Sequence, residues 1–80
     1  MATKSQHGSA YRFLPIVLRT LREEAALTQR ELGHRLRKPQ SYVHNCESAN
    51  RRVDVSEFIA WARACEVDPV RAFRRVLALV

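Results

Sequence analysis

Between Pro39 and Ala49 the chain sets Gln40, Ser41, His44 and Asn45 at the spacing of successive helical turns, with Ser48 one turn further on. All five side chains are polar, none carries a fixed charge, and each both donates and accepts hydrogen bonds. A helix face of that kind can read base edges in the major groove of a duplex, where Gln and Asn match adenine in bidentate fashion. A face that is merely solvated usually carries Glu and Lys instead. The other reactive side chains support less. Cys46 and Cys65 fall on apolar helix faces, the place of small buried hydrophobes more than of a redox pair. His7, His34 and His44 lack the Cys/His spacing of a zinc site, so no metal is expected. Ser41 and His44 lie one turn apart, but no acid or pocket stands by to activate them. Neither catalysis nor a cofactor is expected, and phosphate-cradling and dinucleotide motifs are absent.

The elements that must position this face are short helices. Residues 1–10 show no periodicity and read as a flexible N-terminal arm. From Phe13 to Ala26, residues Leu14, Val17, Leu18 and Leu21 share one face, and Pro15 restricts the start of that helix to its own first turn. Thr28 and Glu31 form a capping box for a second helix, Gln29 to Leu36. Pro39 opens a third, Gln40 to Glu47, with Val43 and Cys46 inward. Asp54 and Glu57 repeat the cap for a fourth, whose apolar stripe is Val55, Phe58, Ile59, Ala62 and Cys65, with Trp61 as a core or interface aromatic. Asp68 followed by Pro69 caps a fifth that runs to the C-terminus. No strand alternation occurs, so the class is all-α. The link Arg37-Lys38-Pro39 is too short for anything but a steep crossing of the second and third helices, as in a helix-turn-helix. Gly33 lies mid-helix, where it costs about 1 kcal/mol relative to Ala, and close approach of the two backbones would explain it.

Size and charge narrow the partner. Eighty residues make one small domain, which excludes a multidomain enzyme and leaves little room for a deep catalytic pocket. No apolar run approaches the roughly 18–20 residues of a membrane span, and no secretory leader pattern is visible, so reduced cysteines and a cytoplasmic location are expected. Lys plus Arg number 14 against eight acids, a net charge of +6. Residues 1–40 hold eight basic and three acidic side chains, residues 41–80 six and five. The excess sits in the first half, where it would attract nucleic acid, an anionic membrane or an acidic protein.

Leu18 to Leu32 (LRTLREEAALTQREL), Gln40-Ser-Tyr-Val43, Glu47 and Ala62-Arg-Ala-Cys-Glu-Val-Asp-Pro69 occur in the order and spacing of a known pattern. Residues 18–69 resemble the helix-turn-helix domain of the Cro and phage-repressor type, also called XRE-type. The resemblance implies a five-helix lambda-repressor-like domain over residues 11–80, with its C-terminal helix at 69–80. It implies that Gln40, Ser41, His44 and Asn45 face bases, and that Gln29, Lys38, Asn50, Arg51 and Arg52 meet phosphates. Arg22 and Glu47 match a scaffolding ion pair. The chain departs from the pattern where Arg37, Lys38 and Pro39 replace a turn that usually holds Gly, and where Ala49 and Glu66 stand for further glycines. Those residues either take positive φ with some strain or form different turns. His44 is an unusual reader, so base preference does not carry over.

On a helical wheel Val70, Ala72, Phe73, Val76, Leu77, Leu79 and Val80 cover about 180°, more than the roughly 100° that a helix merely capping its domain needs. The surplus, centred on Val76, Leu79 and Val80, is the expected homodimer interface. The function expected is a sequence-specific transcriptional regulator, a repressor that binds a near-palindromic site in double-stranded DNA as a homodimer. The alternative is an antitoxin-type module that binds a protein partner as well as DNA.

Overall fold

In the computed structural model, which describes residues 11–80, every regular element is a helix. They are α1 (Phe13–Glu24), α2 (Gln29–Leu36), α3 (Gln40–Glu47), α4 (Val55–Ala64) and α5 (Pro69–Leu79). The arm expected over residues 1–10 lies outside the described residues. Helix α1 stops at Glu24, two residues before the expected end, because Ala26 turns the chain into the left-handed region at φ 60°.

Local chemistry sets the helix starts. The Thr28 hydroxyl accepts the Glu31 amide at 3.0 Å while the Glu31 carboxylate accepts the Thr28 amide at 2.8 Å. Asp54 and Glu57 reproduce the same exchange at 2.8 and 2.9 Å. Asp68 accepts the Arg71 amide at 3.1 Å, and Pro69, with no amide hydrogen to satisfy, occupies the first position of α5. The turns are achieved without glycine. Arg37, Ala49 and Glu66 take φ of 58°, 66° and 62°, so the departures from the usual pattern keep left-handed turns. Each costs roughly 1–2 kcal/mol against a relaxed conformation.

Helix α1 packs on α3, α4 and α5, while α2 leans on α3 and α4. Leu18, Leu21, Leu32, Val43, Cys46 and Trp61 are fully buried between them. The Trp61 indole donates to the Leu18 carbonyl at 3.0 Å, which satisfies the one polar atom of the largest core side chain. Cys46 and Cys65 are unpaired and buried, and that burial pushes both thiols up, Cys65 to about 11.

Two expectations need correction. Val55 is 76% exposed and Ile59 only partly buried, so the inward stripe of α4 is Phe58, Trp61, Ala62 and Cys65. Val55 belongs to the first residue of α4, at the rim of an apolar groove shared with Leu14, Phe73 and Val76. On α5, Val76 is half-buried against the core rather than central to a free surplus. The outward apolar row is Val70, Phe73, Leu77 and Val80, flanked by Leu79, with Leu77 55% exposed. Arg75 ties the opposite side of α5 to α1 through two bonds to Glu24 of 2.6 and 2.8 Å. Among the described residues no helix is long and apolar enough to cross a membrane.

Candidate nucleic-acid interface

The site begins at Gly33. A Cβ built there would lie 2.7 Å from the Lys38 carbonyl oxygen and 3.3 Å from that of Pro39, so only glycine lets the turn pass this close over α2. The Lys38 amide donates to the Gly33 carbonyl at 2.8 Å and the Arg37 amide to that of His34 at 3.1 Å, fastening the turn to the helix it leaves. Pro39 then holds extended backbone at φ −68°, ψ 160° and launches α3.

Helix α3 buries Val43 and Cys46 and turns Gln40, Ser41 and His44 outward, with Asn45 half-buried at the edge of that face. Ser48 is exposed, but its hydroxyl donates to the His44 carbonyl at 2.8 Å and so closes the helix end. The reading face is backed by a chain of polar contacts. Gln40 Nε2 donates to Gln29 Oε1 at 3.5 Å, and Gln29 Nε2 donates to Glu47 Oε1 at 3.1 Å. Glu47 in turn accepts Arg22 Nε at 2.6 Å and a terminal Arg22 nitrogen at 3.0 Å, and Arg22 also donates to the Leu27 carbonyl at 2.8 Å. The side chains of this pair are only 12% and 4% exposed. The Glu47 bond raises the Arg22 guanidinium further above its usual range. The ion pair implied by the resemblance is thus present, and Gln29 is partly committed to it.

Past α3 the basic residues part company. Arg51 is absorbed by the fold: it makes two bonds to Glu57 of 3.0 and 2.8 Å, donates to the Arg52 carbonyl at 2.8 Å and lies 4.8 Å from the Tyr42 ring centre. The Arg51 guanidinium, and next the Asp54 amide, hold the Glu57 carboxyl down to about 2, so the clamp stays ionised at any physiological pH. Arg52 is exposed, rests 4.4 Å from the Tyr11 ring centre and has no ion pair among the described residues. Lys38 lies 5.3 Å from the Tyr42 ring on its exposed turn, and Asn50 is exposed as well. Sequence reasoning missed Tyr11 and Tyr42 as rests for these cations. Tyr42 could have been found, since Lys38 precedes it by one helical turn; Tyr11 adjoins an aperiodic segment that offered no signal.

An all-α frame with a glycine-enforced crossing, a polar α3 face and cations on the flanking turns defines a helix-turn-helix domain, a DNA-binding class. The helix-turn-helix domain family matches residues 16–73. Among solved structures, an XRE-family like protein from Pseudomonas syringae pv. tomato str. DC3000 superposes with a TM-score of 0.88 at 39% identity, over 99% of this chain and 96% of that one. The chain belongs to the XRE-type helix-turn-helix family. No curated protein matches it significantly in sequence.

Proposed function

We propose that the chain is a sequence-specific transcriptional regulator, a cytoplasmic repressor that binds a near-palindromic site in double-stranded DNA as a homodimer. The observation that carries this reading is the α3 face: Gln40, Ser41 and His44 are outward and carry no fixed charge, with Asn45 beside them. Major-groove readout asks for side chains of that type on a helix held at a fixed angle. Gln29, Lys38, Asn50 and Arg52 are the proposed phosphate contacts, and Arg51 supports the loop that carries two of them. The likeness to phage-repressor domains supports the repressor role.

Selection of bound sequences from random DNA at fixed salt tests the reading, and failure to enrich any sequence overturns it. On the enriched duplex Gln40→Ala or Asn45→Ala is expected to cost about 1–3 kcal/mol, with little change on a scrambled duplex. Arg52→Ala weakens both duplexes and lowers the salt slope by about one. Equal losses on both duplexes would remove Gln40 from the readers.

The row Val70, Phe73, Leu77 and Val80 supports the homodimer, since a second copy could cover it; reading two half-sites one turn of DNA apart then requires the two α3 helices to stand about 34 Å apart. Leu77→Glu is expected to sediment as a monomer where the unaltered chain is a dimer. Val76→Glu is a poorer probe, because Val76 also packs on the core. If Leu77→Glu and the unaltered chain sediment alike, the row is not a self-interface; two monomers would favour a protein partner of the antitoxin type.

A further inference from the structure

Tyr11 stands just ahead of α1, 40 residues in sequence from the loop it touches. Its hydroxyl accepts the Val53 amide at 2.8 Å and donates to the Arg51 carbonyl at 3.5 Å. Those two groups flank Arg52 on either side, and the Arg52 guanidinium itself rests 4.4 Å from the Tyr11 ring centre. One side chain therefore pins the backbone before and after Arg52 and supports its cation. The rest of the loop has a different anchor, since Arg51 and the Asp54 amide are both held by Glu57. The polar and ring contacts of Tyr11 with the loop centre on Arg52 and its two neighbours.

A cation–π contact spends none of a guanidinium's N–H groups on a hydrogen bond, and among the described residues the Arg52 side chain donates none, so they stay available for a phosphate. Arg52 is thus ordered without being consumed, in contrast to Arg51, whose N–H groups go to Glu57 and to backbone. Resting on the DNA-binding reading above, we propose that Tyr11 is a positioning residue for DNA-backbone binding, which presets the loop after α3 so that Arg52 meets a phosphate. Ordering a long side chain before binding removes part of the entropy cost of docking, about a threefold to tenfold effect on Kd.

The test uses the full chain with Tyr11→Phe, Tyr11→Leu, Arg52→Ala and the Tyr11→Leu/Arg52→Ala double variant. Tyr11→Phe keeps the ring and removes the hydroxyl, so it guards against simple misfolding. Each is titrated against the enriched and a scrambled duplex over a range of salt, with sedimentation alongside because Tyr11 also borders the groove beside Leu77. Both Tyr11 variants should weaken the two duplexes equally, by about threefold to tenfold, with an unchanged oligomeric state. Tyr11→Leu should add nothing once Arg52 is Ala. Additive losses, a loss confined to the enriched duplex, or unchanged affinity overturn the proposal while leaving the DNA-binding reading intact. Absence of binding by the unaltered chain overturns both.

Discussion

Replacing Glu47 with Leu is expected to remove about 3–5 kcal/mol of folding stability, the largest effect of any single polar substitution in this domain. The Glu47 side chain is 4% exposed and accepts three bonds, two from Arg22 and one from Gln29. Its loss strands the Arg22 guanidinium, 12% exposed, with one remaining bond to the Leu27 carbonyl. An unpaired cation so placed cannot recover its hydration, so the penalty exceeds the worth of the pair itself. A domain of this size has a total stability of roughly 4–12 kcal/mol, so the variant sits near the edge of folding. Arg22→Met should be similarly harmful, whereas Arg22→Met with Glu47→Leu should regain much of the loss, because an apolar pair strands no charge. Trp61, the only tryptophan and fully buried, reports unfolding in all four proteins through its fluorescence. Additive single losses would show that the pair is not coupled.

Gly33→Val is the second severe change expected, at about 3 kcal/mol or more, with Gly33→Ala at about 1–3 kcal/mol. Two effects oppose each other in the Ala variant. Alanine is the better helix former by about 1 kcal/mol. Against that, its Cβ would meet the Lys38 carbonyl oxygen at 2.7 Å, and that oxygen is backbone. The turn cannot simply swing aside, because the Lys38 amide is bonded to Gly33 itself at 2.8 Å. Relief requires α3 to move relative to α2, so affinity for the enriched duplex should fall more than affinity for a scrambled one. Thermal unfolding and duplex titration of both variants measure this. A more stable Gly33→Ala protein would mean that the turn yields at little cost.

What could be read from the sequence was what depends on near neighbours. The caps at Thr28, Asp54 and Asp68 act over three residues, and Gly33 is anomalous within its own helix, so all four showed directly. Arg22 and Glu47 stand 25 positions apart and were visible only through the resemblance. The clamp of Arg51 on Glu57 and the reach of Tyr11 to Val53 depend on the path of residues 49–53, which no periodicity encodes. The wheel of α5 measured the width of its apolar arc but not its rotation. Fully buried Ala72 brings the helix backbone against the core, which turns Val76 in and Leu77 out.

The burial of both cysteines has a practical consequence. Only the thiolate reacts with maleimide dyes, and here both thiols are shielded from solvent and pushed toward the protonated form. The folded protein therefore behaves as a cysteine-free background for chemical labelling, with its native core unaltered. Ala60→Cys, on the exposed side of α4, supplies one reactive handle per copy. Fluorophores attached there would turn the spacing of two bound copies, and any bend they impose on a duplex, into a measurable energy-transfer distance.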